Sequence, residues 1–393
     1  MRFAPCSPQQ EYPVIYLDNA ATTYPKPPQV YRAWAEAFRA YGANPGRGSC
    51  TFSSDTSQAV YDSREECAGF FGTDPDNTVF TLNCTHALNY AIKGLARRGV
   101  HFVISDLEHN AVLRPVHACA AEYGGSYSVF SVSEDEEVTL SRAERAIRPD
   151  TAALICTAAS NVTGRQLPIK QLGEICKKKG VIFIVDAAQG AGILPLRPDD
   201  GINMICAAGH KGLYGPMGTG LMLTDGSVKL KTLIEGGTGS ASESPVQPDF
   251  FPDRFESGTI NTAGVIALGA GVRFVRSKTP AVILAHELSL CRQFCEGARA
   301  IRGITLYNDI TTHNSNSYAP VVSFNQNDRS GTDTAALLGE LGFCLRGGLH
   351  CAPLAHKKLG TLERGTVRFS PSAFTSPNDV EALLRALRRI SDR

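Results

Sequence analysis

Between residues 78 and 207, short and almost wholly apolar runs alternate with segments whose apolar positions recur at helical spacing. The runs ALICT (Ala153–Thr157) and VIFIV (Val181–Val185) leave almost no polar face. A strand with one wet face alternates apolar and polar residues, so a run like these must be covered on both faces. Four more strands are predicted at Thr78–Leu82, Phe102–Ser105, Ser126–Val132 and Met204–Ala207. Helices are predicted between them at Ala87–Ala96, Ala111–Tyr123, Ser141–Ile147 and Ile169–Lys179. In the first of these, Leu88, Ala91, Ile92 and Leu95 follow the i, i+3, i+4, i+7 pattern of one helix face. Such alternation predicts an α/β fold: a mostly parallel central sheet with helices on both faces.

The flanks read differently. The run Val14–Leu17 ends at Asp18, a Pro-rich turn covers Tyr24–Pro28, and helices are predicted from Val30 to Tyr41 and from Ser54 to Phe71. Glu235–Pro252 is rich in Gly, Ser and Pro and reads as a long loop, the kind that is usually functional. A helix is expected over Thr262–Val275. Beyond residue 280 come helices mixed with short strands at Val321–Phe324 and Thr366–Phe369, and an amphipathic helix over Asn378–Ile390. This suggests a large cofactor-binding α/β domain over 19–264 and a smaller α+β domain from 1–18 and 265–393.

Composition narrows the function. With 39 basic and 38 acidic residues the net charge is +1, which argues against a chain that coats nucleic acid or an anionic membrane. The 12 cysteines contain no CxxC pair, so no metal site is expected. The opening residues carry no apolar core of a secretory leader, and no run reaches membrane-spanning length. A cytoplasmic protein with reduced thiols is the expectation.

Two strand ends carry the chemistry. VIFIV ends at Asp186, and an acid at the C-terminal end of a central parallel strand sits where α/β folds bind ligands. The next strand runs into Gly209-His210-Lys211-Gly212. Alone, Lys211 reads as a solvated turn lysine and Asp186 as a helix cap. Together they suit pyridoxal 5'-phosphate: the lysine forms a Schiff base with the aldehyde, and the carboxylate keeps the pyridinium nitrogen protonated. The segment Phe80–Ala87 reads as a strand entering a helix N-terminus, where a phosphate is favoured. Thr85 there serves either that phosphate or the helix cap. His109 also follows a strand and either stacks on a cofactor ring or is structural. No GxxxxGK[ST] or GxGxxG motif is present, so ATP and nicotinamide lose their usual markers.

In order along the chain stand YLDNAATT (16–23), NPGRG (44–48), EHNAVL (108–113), ASNVTG (159–164), VDAAQG (185–190), GHKGLYGPMGTG (209–220), RFESGTINT (254–262) and RGGLHCAP (346–353). This series resembles the class V aminotransferase family of fold type I pyridoxal-phosphate enzymes, and within it the cysteine desulfurases and selenocysteine lyases. The resemblance implies roles. Lys211 would be the Schiff-base lysine, Asp186 would meet the ring nitrogen, Gln189 the phenolic oxygen, and His109 would stack on the ring. Thr85, His86 and His210 would hold the phosphate. Thr259 would reach the phosphate of a partner subunit, implying a homodimer. Asn161, Arg346 and Arg368 would bind the substrate, with Arg368 clamping its carboxylate. Ala208 departs from the family's usual Ser or Thr, removing one hydroxyl from the phosphate site. Asn110 stands where His is common.

The reaction is chosen elsewhere. Arg346–Pro353 places Cys351 beside His350 in a Gly-rich loop. Its bland reading is a buried structural cysteine. The resemblance makes it instead the nucleophile that takes sulfur from L-cysteine, leaving L-alanine and an enzyme persulfide. The segment is similar to the second group of cysteine desulfurases, which implies a sulfur-acceptor protein as partner. The competing readings are a selenocysteine lyase acting on L-selenocysteine, a β-eliminating C–S lyase, an ordinary aminotransferase or kynureninase-like enzyme, and a non-catalytic pyridoxal-binding interaction protein. Lys177-Lys178-Lys179 needs no functional role: at a helix C-terminus cations offset the dipole.

Overall fold

A computed structural model describes residues 14–46, 50–311 and 317–391. Arg47 of the NPGRG motif and residues 1–13 of the expected small domain lie outside the described residues. After β1 (Ile15–Tyr16), seven strands form the central sheet: β2 (Thr78–Thr81), β3 (His101–Ser105), β4 (Ser126–Phe130), β5 (Thr151–Thr157), β6 (Ile182–Asp186), β7 (Met204–Ala208) and β8 (Gly220–Thr224). Their spatial order is β2-β8-β7-β6-β5-β3-β4. Only β8 runs against the rest, pairing antiparallel with β2 and β7.

The apolar runs are two-faced, as predicted. Leu154 and Cys156 of β5, Phe183 and Val185 of β6 and Val103 of β3 enter one core. Their neighbours Ala153, Ile155, Ile184, Phe102 and Ile104 enter the other. Period two along each strand sends successive side chains to opposite helical layers. Each fully buried Ile, Leu or Phe there contributes about 1.5–3 kcal/mol relative to an exposed one.

Several boundaries follow the expected ones. The helix Ile169–Lys179 coincides with its prediction, ends at Gly180 with φ 66°, and carries its three lysines in the last turn. The helix expected from Ser141 starts at Glu136 instead, because the Asp135 side chain accepts from the N–H groups of Glu137 and Val138. Strand β8 and the helix Pro280–Arg299 have no counterpart among the predicted elements. Between Thr224 and Thr262 no helix or strand forms among the described residues. That long loop is nonetheless tied: Gln247 donates to Ser257 Oγ at 3.0 Å and Ser240 to Asp253 at 2.5 Å. Arg64 holds Glu256 with both guanidinium nitrogens, at 2.6 and 2.8 Å, fastening the loop's end under helix Thr51–Phe71.

The remaining strands are β9 (Ile304–Leu306), β10 (Val322–Gln326), β11 (Phe343–Cys344), β12 (Arg346–Gly348) and β13 (Thr366–Phe369). Four of them form an antiparallel sheet in the order β12-β13-β10-β9, and β1 pairs parallel with β11. Leu17, Phe294, Phe324 and Phe369 build a core of their own with Leu383 and Leu387 of the C-terminal helix Pro377–Ser391. Phe294 stacks on Phe369 at 4.6 Å between centroids. Helix Thr262–Lys278 packs on helices Pro28–Ala40 and Thr51–Phe71. Among the described residues no helix is long and apolar enough to cross a membrane.

Candidate active site

The sheet order places β6 between β5 and β7, so their C-terminal residues converge. Thr157 pairs with Asp186, and Asp186 with Cys206. Above these ends opens a cavity of about 300 Å³ whose walls include Thr85, His109, Asn161, Asp186, Gln189, His210 and Lys211. Residues more than 120 positions apart in sequence are thus gathered by topology alone, at the strand ends where α/β sheets bind ligands.

Asp186 is 2% exposed. Its Oδ1 accepts from Ala188 N–H at 2.9 Å and from the Cys84 thiol at 3.3 Å. Burial pushes the Cys84 thiol well up, and Asp186 adds to the rise, so the sulfur stays protonated and can donate. Lys211 follows β7 through Gly209, where a Cβ would overlap Thr219 Oγ1. The backbone there is held from outside. The His210 carbonyl accepts from Thr23 N–H at 3.1 Å, Thr22 Oγ1 at 3.1 Å and Lys26 Nζ at 2.8 Å, and the Lys211 carbonyl from Thr23 Oγ1 at 3.1 Å. Burial holds the Lys211 amine below its ordinary value; Asp186 opposes this, and Arg368 and Arg346 reinforce it. A depressed amine is the form that attacks a carbonyl or accepts a proton.

His109 caps the helix Asn110–Glu122, its Nδ1 accepting from Ala111 N–H at 3.0 Å. Burial lowers its ring, with Lys211 and the two arginines adding and Asp186 opposing. With Nδ1 accepting, the neutral ring carries its hydrogen on Nε2. Asn83, not Thr85, caps the helix Cys84–Gly94, taking the His86 N–H at 2.9 Å. This leaves the Thr85 hydroxyl exposed at the cavity wall. His210 carries a buried Nδ1 with no partner, and burial together with Lys211 and Lys26 pushes its ring down to about 4. Gln189 donates to the Ala20 carbonyl at 2.8 Å.

His86 lies outside this cavity, and so does Thr259, the residue expected to serve a partner subunit. His86 turns its ring toward Tyr90, 4.4 Å away, and lines a neighbouring groove that also holds Thr259. The helix register is the reason: His86 is one residue past Thr85, about 100° further round the helix, and its Nδ1 accepts from Leu82 N–H at 3.2 Å. Thr259 is exposed and receives Asn44 Nδ2 at 3.4 Å, so this chain's own cavity does not include it. Arg368 is 1% exposed and already bonded, to Asp18 Oδ1 at 2.6 Å and to the Asn161 carbonyl at 3.2 Å, with Nε left without a partner. Any anion that reaches Arg368 shares it with Asp18.

Cys351 is exposed, on a loop tied to Asn161 of the cavity wall and to Asn110 beside His109. Its carbonyl accepts from Asn110 N–H at 2.7 Å, and the preceding carbonyl, of His350, from Asn161 Nδ2 at 2.7 Å. His350 and Cys351 both sit at positive φ, 48° and 56°, which non-glycine residues rarely adopt unless contacts enforce it. Arg346 Nη2 lies 3.7 Å from the sulfur. Downstream, Lys358 bonds Asp106 Oδ2 at 2.9 Å. The ring of His350 points inward to the Thr366 carbonyl at 3.1 Å, and burial pushes it down to about 2. It is therefore a brace for the loop and not a base for the thiol.

Sequence reasoning missed Cys84, Lys26, Asn83 and Asp18. Asn83 was readable as a cap before an apolar helix face. The others act only through chain segments brought together by folding.

The sequence pattern of the family described as aminotransferase class-V matches residues 15–383. A probable cysteine desulfurase of Methanothermobacter thermautotrophicus is 34% identical over 385 residues, covering 96% of this chain and 94% of that protein. A cysteine desulfurase of Pectobacterium atrosepticum is 28% identical, with 96% and 93% covered. The apo structure of a cysteine desulfurase from Thermococcus onnurineus superposes with a TM-score of 0.89 at 31% identity, covering 96% of this chain and 95% of that one. By a match that spans nearly its whole length, the chain belongs to the class V aminotransferase family.

Proposed function

We propose that this protein is a pyridoxal-phosphate-dependent cysteine desulfurase that converts L-cysteine to L-alanine and holds the sulfur as a persulfide on Cys351. The observation that carries the reading is an exposed thiol on a loop tied to Asn161, in the wall of a cavity that also contains Lys211, Asp186 and His109. Relatives named as cysteine desulfurases over nearly the full length support it.

The cavity fits the cofactor on its own chemistry. The first turn of helix Cys84–Gly94, the Thr85 hydroxyl and the unpartnered His210 Nδ1 offer donors to a phosphate. Ala208 adds none. Asp186 faces the same space for the ring nitrogen, Gln189 for the phenolic oxygen, and Lys211 for the aldehyde. When bound, the cofactor holds the substrate amine and takes up the electron pair released at Cα.

This chain's residues do the rest. Lys211, with its depressed amine, takes the Cα proton and later returns one. With the cofactor bound, His109 would lie over the ring, and Asn161, Arg368 and Arg346 would orient the substrate carboxylate. The Cys351 thiolate attacks the substrate sulfur; the S–S bond forms as the C–S bond breaks, and the electron pair goes to the carbon skeleton that becomes alanine. Arg346 beside the sulfur orients it for that attack.

The partner, domain and compartment readings complete the proposal. Tyr61 lies in the same groove as Thr259 and is exposed, as suits a surface that meets a second copy. We propose a cytoplasmic homodimer that hands sulfur to an acceptor protein, with the domain division at residue 264 and helix Thr262–Lys278 shared between the parts. Light scattering is expected to give the mass of two chains at working concentration; a fully active monomer would end the dimer reading.

Product analysis tests the reaction. L-cysteine is expected to yield alanine and protein-bound sulfur. Pyruvate, ammonia and free sulfide would mean elimination instead. Faster turnover of L-selenocysteine with alanine as product would mean a selenocysteine lyase.

A further inference from the structure

Glu108 is wholly buried, one residue before His109, and the chemistry above gives it no role. It lies on the turn leaving β3, whose neighbour in the sheet is β5. Its Oε1 accepts the hydroxyl of Ser105, at the end of β3, and the N–H of Thr157, at the end of β5, the latter at 3.0 Å. Thr157 is the residue paired with Asp186. One carboxyl oxygen thus joins two strand ends directly beneath the cavity, at the rung next to Asp186. The other oxygen, Oε2, is buried and has no hydrogen-bond partner among the described residues.

That asymmetry disfavours the charged form. A carboxylate spreads its charge over both oxygens and needs donors or a cation at each. Glu108 has two donors on Oε1 and, among the described residues, no basic side chain bonded to it. The titratable groups that face it are Asp186 from β6 and the buried Cys156 thiol of β5, with Asp106 and His109 on its own segment. A charge there would repel Asp186. Burial accordingly pushes the carboxyl up to about 8, and Asp186 adds to the rise against the Ser105 and Thr157 hydrogen bonds.

We propose that Glu108 is a positioning residue: a neutral acid that fixes where His109 leaves the sheet and keeps a second negative charge away from Asp186. The role of His109 over the ring rests on the cofactor reading above; the buried neutral acid does not.

The test compares Glu108→Gln and Glu108→Ala with the wild type, each as the purified, cofactor-loaded protein. Glutamine keeps the Oε1 acceptor and carries no charge, so it is expected to retain the wild-type visible band and to keep kcat within about twofold. Alanine releases the turn. It is expected to shift the band and to lower kcat about tenfold or more, with little further loss on adding His109→Ala. A second arm uses no cofactor signal. A carboxyl at about 8 in the folded chain against 4.5 when unfolded holds its proton where the unfolded chain releases it. Its contribution to stability is complete below the unfolded value and is lost as pH climbs toward 8. The melting temperature of Glu108→Gln should therefore rise relative to the wild type between about pH 5 and pH 9. Parallel melting curves over that range would overturn the neutral acid. Equal damage from Gln and Ala, or no damage from Ala, would overturn the positioning role. If the alanine variant fails to fold, Glu108→Gln and the melting arm still decide. A wild type with no visible band would sink the cofactor reading while the melting arm judged Glu108 alone.

Discussion

Lys211→Ala is expected to abolish turnover and the visible band of the cofactor-loaded protein. Two functions end together: the amine that links to the aldehyde, and the base that moves the Cα proton. Loss of positioned proton transfer alone lowers a rate by about 10²–10⁴-fold. Loss of the covalent link compounds it, so product falls below detection. The fold should survive, because Thr22, Thr23 and Lys26 hold the segment by its His210 and Lys211 carbonyls and not by the Lys211 side chain. Alanine even relieves the cost of burying a cation. The measurement is the absorbance spectrum with release of pyridoxal phosphate on denaturation, beside alanine formation. Wild-type turnover in this variant would end the pyridoxal reading.

Cys351→Ala separates the reaction classes. Alanine formation from L-cysteine is expected to fall to about a hundredth of wild type or less, because no thiolate remains to take the sulfur. Cofactor binding and exchange of the Cα proton should persist, since both depend on Lys211 and Asp186. Cysteine sulfinate and selenocysteine should keep measurable turnover, because their leaving groups depart without that attack. The positive φ at Cys351 makes Cys351→Gly a useful companion: it removes the thiol without straining the loop. Full alanine production by either variant, or no persulfide on residue 351 of the wild type by thiol-blocking mass spectrometry, would refute the desulfurase mechanism. It would leave the cofactor assignment standing.

The central sheet was legible because both its faces are dry. A strand such as VIFIV declares itself by having no polar side, and the helix Ile169–Lys179 by a periodic face and a glycine at its end. Strand β8 was equally apolar, but GLMLT follows directly on the glycine-rich motif and was absorbed into it. The start of helix Glu136–Ala146 was lost because its first turn is acidic, where Asp135 and not periodicity marks the beginning. At the site, Lys211 and Asp186 were legible because each ends a recognisable strand. His86 was not, since a single step along a helix turns a side chain by about 100° and removed it from the cavity. Glu108 was invisible as a separate signal. What distinguishes it is one oxygen bonded twice and the other not at all, and only the folded strand ends create that difference.

The loop that bears Cys351 is held at two consecutive carbonyls and again by Lys358 on Asp106. A sulfur on a swinging arm searches for its recipient and brings it a high local concentration of reagent. A sulfur fixed in this way searches nothing. On the proposed function, the motion of the encounter would belong to the recipient, which would have to bring its own thiol to the fixed sulfur, and lengthening this loop would trade accuracy of attack for reach.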